Sequence, residues 1–397
     1  MIKNQTAVII TLGALTAIGS LSIDMYLPGF PSIARDLHTD ISRVALSLTS
    51  FFIGISAGQL FFGPLIERFG RKKPLVLGLV LYLIASFGCS LTGSVNALIG
   101  LRLFQALGGC SGMVISRTMV RDLFPISETA KIFSMLMLVM GIAPIVAPTL
   151  GGIMASSWGW RYIFLLLTCI AALLLAATLR YLPESRRADE SVSLKPSDVL
   201  TRFWAVLREP MFYTYAIVSG FASAGMFAYI SGSPFVFMTL FHVPETKYAW
   251  IFGINSMGLI VSSQMNRLLL KKWKSGQIII VAGSLQFLCG MILFGSTLLS
   301  IVTSTLTFIL IFLYLMMQGL VFPNATALSL EPFDRNAGIA SALAGSMQMI
   351  IAALASASVS YLHNGTALPM NGVIAACTLI GFSGLLIGRT IIRKNDR

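Results

Sequence analysis

Long apolar runs alternate with short polar breaks along nearly the whole chain. A transmembrane helix needs about 20 mostly apolar residues. On that rule twelve spans are predicted, at 6–29, 43–65, 74–93, 96–118, 129–152 and 160–181, then 210–239, 246–269, 277–298, 302–329, 337–362 and 369–392. The first run, from Thr6 to about Ile23, exceeds the ~7–15 apolar residues of a signal peptide and reads as the first membrane helix. The longest polar stretch divides the chain into halves at 1–182 and 210–397, joined by a cytoplasmic linker at 183–209. The expected fold is an all-α polytopic membrane protein, with twelve transmembrane helices in two six-helix bundles.

Composition sharpens this picture. The 397 residues are 56% apolar and 11% charged, against about 25% charged in an average soluble domain. One soluble core could not bury so much apolar surface. The net charge of +13 does not point to nucleic acid, because the bases sit in loops between apolar spans. Short basic loops stay on the cytoplasmic side of a membrane. With the N-terminus inside, only Arg35, Arg43, Arg161 and Lys247 fall in outer loops, and Arg102 alone falls within a span. Both termini are therefore expected in the cytoplasm. The five cysteines lie inside spans without a CxxC pair, and read as packing residues rather than metal ligands or disulfides. No metal site or cofactor is expected.

The loop Gly63–Lys73 carries Glu67 and the bases Arg68, Arg71, Lys72 and Lys73. Gly63 and Gly70 offer the freedom a tight reversal needs. A second basic loop, 267–274, follows span 8. Arg121-Asp122-Leu-Phe-Pro after span 4 is echoed by Glu331-Pro-Phe-Asp334-Arg335 after span 10. Six spans repeated twice is the layout of a two-bundle transporter, with substrate sites near mid-membrane.

At these residues the chain resembles the major facilitator superfamily. The loop matches that superfamily's signature after helix 2, with Glu67 where Asp is usual. Arg102-Leu-Phe-Gln105-Ala106 is similar to its Arg-x-x-Gln-Gly motif in helix 4. Gly141, Pro144, Pro148, Gly151 and Gly152 match the helix 5 motif of drug:proton antiporters. Asp24-Met25-Tyr26-Leu27-Pro28, Arg121-Asp122-Leu-Phe and Ser219 to Phe227 resemble the Bcr/CflA subgroup. The resemblance implies proton-coupled efflux of drug-like molecules, of bicyclomycin or chloramphenicol type, across the bacterial inner membrane by alternating access. It places the proton-coupling acid at Asp24. It implies a carrier rather than an enzyme, energised by the proton gradient, embedded in lipid and working as a monomer. Export of an endogenous metabolite such as an amino acid, with drug efflux incidental, remains the alternative. No GxxxxGK[ST] loop is present, so energy is expected from an ion gradient.

Each element admits a mechanistic and a plainer role. An ionised carboxylate in low dielectric is costly, so Asp24 is either a buried group that takes and returns a proton or a helix-end acid in outer water. Arg102 either tunes Asp24 and bonds Gln105, or snorkels outward. Gly63, Glu67, Arg68, Gly70, Arg71, Arg121 and Asp122 form a conformational latch or only set topology. Glu67 is expected to meet a helix N-terminus, near residues 336–337, or the basic end of helix 4. The helix 5 glycines and prolines serve as a hinge and a close-packing face, or are merely tolerated. Tyr26, Gln105, Tyr229, Asn255, Gln318 and Gln348 are candidate cavity residues, because polar groups facing lipid are costly. Pliable Phe and Met side chains suit bulky, weakly polar substrates.

Overall fold

Continuous apolar sequence with few breakers forms helices, because only a helix satisfies its own backbone polar groups in lipid. The computed structural model describes residues 4–186, 188–189, 196–333 and 337–395. Its first half contains α1 (Gln5–Asp24), α2 (Phe30–Asp36), α3 (Ile41–Phe69), α4 (Lys72–Leu91), α5 (Val95–Leu123), α6 (Ile126–Ser157) and α7 (Arg161–Tyr181). The second half contains α8 (Pro196–Leu207), α9 (Pro210–Ser233), α10 (Glu245–Leu269), α11 (Ser275–Leu298), α12 (Ser304–Leu330), α13 (Ala337–Tyr361) and α14 (Leu368–Asn395). Among the described residues ten helical segments are long and apolar enough to cross a membrane. The α6 and α10 helices, 32 and 25 residues long, fit the remaining two of the twelve expected crossings.

The first span is not one helix. After α1 the chain passes through a 3-10 turn, Leu27–Gly29, with Pro28 inside it, and then enters α2. The seventh span ends likewise in an irregular stretch, a π-helical segment at Pro234–Leu240. The ends that follow share a backbone signature, with His38 at φ 49° and His242 at φ 51°.

Two compact units divide the contacts, Met1–Thr39 with Ser50–Val199 and Asp40–Thr49 with Leu200–Arg397. Within unit 1, α1 packs on α5, α6 and α7, and α4 packs on α5 and α7. Val8, Leu12, Leu15, Leu75, Leu79, Ile115 and Met119 form its apolar core. Small residues let the backbones approach. A Cβ added to Gly54 of α3 would meet the Leu103 carbonyl at 2.5 Å, and one on Gly58 would meet Cys110 at 2.7 Å. In unit 2, α9 packs on α12, α13 and α14, while α12 also packs on α10 and α11.

The reversal between α3 and α4 is shorter than the sequence suggests. Gly63 and Pro64 lie inside α3, which runs on to Phe69, and a Cβ at Gly63 would meet nothing within 4 Å. Gly63 is therefore not a turn residue. Gly70, at φ +82°, makes the turn by itself, in the left-handed region that glycine adopts at no steric cost.

Candidate functional site: a buried carboxylate, a caged guanidinium and a stapled loop

Asp24 is the last residue of α1. It is 5% exposed, so the outer-water alternative does not hold in this structure. Among the described residues no hydrogen bond or ion pair reaches its carboxylate. The 3-10 turn that follows is pressed by α6. A Cβ added at Gly151 would overlap the Met25 carbonyl oxygen. Gly151 of the helix 5 motif thus lies directly on the residue after Asp24. Pro144 and Pro148 lie inside α6, and Pro148 and Gly152 are buried. The surroundings of Gly141 lie outside the described residues.

Arg102 of α5 is fully buried at 0% exposure and does not snorkel. Its Nη1 donates to Gln105 Oε1 at 2.6 Å and its Nη2 to the Ser22 carbonyl at 3.0 Å. Three aromatic rings surround the guanidinium carbon, Phe51 at 4.2 Å, Tyr26 at 4.7 Å and Phe164 at 5.8 Å. Ring faces attract a desolvated cation. Arg102 bonds Gln105, as one of its expected roles had it, and no ion pair joins it to Asp24 among the described residues. The guanidinium instead grips the backbone of Ser22, two residues before the acid, because a fork of five donors finds a carbonyl and an amide oxygen within reach. Its Nε has no partner among the described residues. The Ser22 hydroxyl bonds the Tyr82 hydroxyl at 2.6 Å, and Gln105 Nε2 donates to Ser86 Oγ at 2.8 Å. The end of α1 is thus tied to α4 and α5 by one polar cluster.

The candidate cavity residues lie in contacts within their own units. Tyr26 packs on Arg102, and Gln105 completes the cluster above. Asn255 Nδ2 donates to the Tyr229 hydroxyl at 2.9 Å. The Gln318 amide lies 2.9 Å from Ser223 Oγ and 3.1 Å from Gln286 Nε2. Only Gln348 is half-buried; its Cα lies about 4.0 Å from where a Cβ on Gly220 would sit. Amides and hydroxyls removed from water need partners, and these find them within their own unit, except that Asn255 Oδ1 has none among the described residues.

The loop residues separate into two groups. Arg71 is 3% exposed; its Nε donates to Asp122 Oδ2 at 2.9 Å and its Nη1 to the Ile66 carbonyl at 2.6 Å. Glu67 and Arg121 are exposed, and Arg68 lies beside Phe69 with its guanidinium 5.9 Å from the ring. Residue 336, the expected partner region of Glu67, lies outside the described residues, and no ion pair joins Glu67 to the end of α5 among the described ones. The acid at a helix N-terminus is Glu184. Its carboxylate accepts from the backbone N–H of Arg71 at 2.6 Å and of Lys72 at 3.1 Å, where α4 begins. Glu184 had no signal in the sequence beyond being an acid just after an apolar span. Tyr82, Ser22, Ser86, Phe51 and Phe164 were equally silent, being ordinary residues of membrane helices.

The chain is 32% identical over 385 residues to an uncharacterized MFS-type transporter, YdgK, of Bacillus subtilis, covering 96% of this chain and 94% of that protein. It is 29% identical over 378 residues to the bicyclomycin resistance protein homolog of Haemophilus influenzae, covering 95% of each. Its fold is similar to that of a solved D-xylose-proton symporter, with a TM-score of 0.73 at 17% identity over 96% of each chain. Residues 12–356 match the Major Facilitator Superfamily. With its membrane helices, its stapled basic loop and these full-length relatives, the chain belongs to the Major Facilitator Superfamily and is a multi-pass membrane transporter of small molecules, not an enzyme.

Proposed function

We propose that this transporter exports small, weakly polar drug-like molecules, of the bicyclomycin or chloramphenicol type, in exchange for protons moving inward. It works in the bacterial inner membrane with both termini in the cytoplasm, as a monomer driven by the proton gradient. One observation carries the reading: Asp24 is a buried carboxylate that no cation neutralises among the described residues, at the hinge between α1 and the 3-10 turn. Burying a carboxylate without a cation beside it is costly, which suits a group that takes and returns a proton. Water admitted by a change at the turn would let the proton leave. Gly151 of α6 touches that turn, so movement of α6 and ionisation of Asp24 share one piece of backbone. The name of the Haemophilus relative supports a drug as cargo.

The test is proton release by purified, detergent-solubilised protein when bicyclomycin or chloramphenicol is added. Wild type is expected to release protons and Asp24→Asn none, while both still bind the compound. Binding by wild type without release would remove proton exchange from the reading. Absence of binding, with a metabolite accumulating in cells that lack the gene, would replace the drug by that metabolite.

A further inference from the structure

The polar stretch after α7 reads as a plain linker in sequence, yet its first residues are fastened to the turn between α3 and α4. Glu184 Oε1 and Oε2 accept two backbone N–H groups at the start of α4, those of Arg71 and Lys72. Ser185 Oγ donates to Asp122 Oδ2 at 2.9 Å, the same oxygen that Arg71 Nε reaches. Asp189 N donates to the Arg68 carbonyl at 3.2 Å, and Lys72 Nζ to the Leu179 carbonyl at 3.1 Å. The fit is close: a Cβ on Gly70 would come within 2.9 Å of the Glu184 carboxyl carbon and 3.0 Å of the Arg186 carbonyl. The corresponding turn of unit 2 is built differently. There Lys274 N is satisfied locally by Gln277 Oε1 at 3.0 Å, from the helix's own first turn.

We infer that Glu184 is a positioning residue of the export cycle, which pins the α4 N-terminus so that Arg71 is held on Asp122. The backbone N–H groups that Glu184 accepts belong to Arg71 itself and its neighbour. A carboxylate accepting at a helix N-terminus forms charge-assisted bonds, and the helix dipole favours it there. Glu184, Ser185 and Asp189 thus fasten the chain after α7 to the turn between α3 and α4. All three belong functionally to the loop rather than to a passive tether.

This inference rests on the export reading only for its effect on rate; its geometry is tested without substrate. Hydrogen exchange of the full-length protein is followed over residues 66–75, in wild type, Glu184→Ala and Glu184→Gln. The Arg71 and Lys72 amides are expected to exchange about tenfold faster in Glu184→Ala, the size of a lost charged hydrogen bond, and Glu184→Gln to restore part of the protection. Thermal unfolding of Glu184→Ala, Asp122→Asn and the double variant completes a cycle. Since both acids act through Arg71, the double variant is expected to be no worse than the more damaging single one. Unchanged exchange, or additive losses, would overturn the inference and leave Glu184 as an ordinary helix end. Export measured at equal membrane abundance is expected to show a several-fold lower maximal rate with unchanged half-saturation. An unaltered rate would overturn the link to transport. A wild type that exports none of the compounds sinks the export reading, while exchange and the cycle still decide on Glu184.

Discussion

The first, third and fourth membrane helices of each half meet in a buried polar cluster, and the two clusters differ in kind. In unit 1, α1, α4 and α5 gather Ser22, Tyr82, Ser86 and Gln105 about the guanidinium of Arg102. In unit 2, α9, α11 and α12 gather Ser223, Gln286 and Gln318, and Tyr314 donates to the Ala222 carbonyl at 2.8 Å. Every member of the second cluster is neutral. The acid is one-sided as well. Asp24 lies fourteen residues before His38, and fourteen residues before His242 lies Ala228, also buried. The halves share helix order, close contacts at Gly54 and Gly58 matched by Gly258 and Ser262, and even the left-handed histidine after the first helix. Among the described residues, the buried acid and the buried guanidinium, Asp24 and Arg102, both lie in the first half. A fold needs polar clusters to join helices in lipid, and neutral amides suffice for that. A buried cation and a buried carboxylate cost much more, and among the described residues it is the first half that carries both Asp24 and Arg102.

This contrast can be broken most sharply at Arg102. Arg102→Gln makes the first cluster as neutral as the second. Export is expected to fall by about tenfold or more, the scale of losing hydrogen bonds from a charged group. Arg102→Lys should not rescue it, because an ammonium lacks the planar fork that spans Gln105 and Ser22 while lying against three rings. Drug resistance of an efflux-deficient host, at equal membrane abundance, reads both; full resistance of Arg102→Gln would remove the distinction between the clusters.

A middle-sized effect is expected at the glycines. Gly151→Val places a side chain on the Met25 carbonyl and should cost about 1–3 kcal/mol by overpacking, with loss of export. Gly63→Ala, in open space inside α3, should change stability by no more than about 1 kcal/mol, in the direction of a better helix. Thermal unfolding in detergent compares them, and equal losses would mean that the α6 contact is not close-packed.

The smallest effect is expected in unit 2. Gln318→Leu removes the central amide of the neutral cluster and should cost about 1 kcal/mol, near the average for hydrogen bonds between membrane helices. Proton release on adding drug should persist. Its disappearance would show that the neutral cluster takes part in coupling and would sink the assignment of that role to unit 1.

Much of the site could be read in the chain before folding, though not its contacts. Asp24 and Arg102 stood out because a charge inside an apolar run has few neutral explanations. Their mutual contact did not follow, since Arg102 chose the Ser22 carbonyl, a group every residue carries. Glu67 looked like the acid of the loop because it lies within the motif. The carboxylate at the α4 N-terminus is Glu184, more than a hundred residues later in the chain. The candidate cavity residues were recognised as polar groups that cannot face lipid, and the structure supplied their partners.

What the chain determined alone was what the bilayer demands of any sequence: how long each apolar stretch must be and where charges are tolerated. Those demands act on each segment separately, so composition and spacing report them. Which guanidinium oxygen-seeking arm reaches Ser22, which carboxylate caps α4 and which glycine touches Met25 are set over distances of a few ångströms between segments far apart in sequence. Such contacts depend on how helices pack and turn about their axes, and only the folded structure decides that.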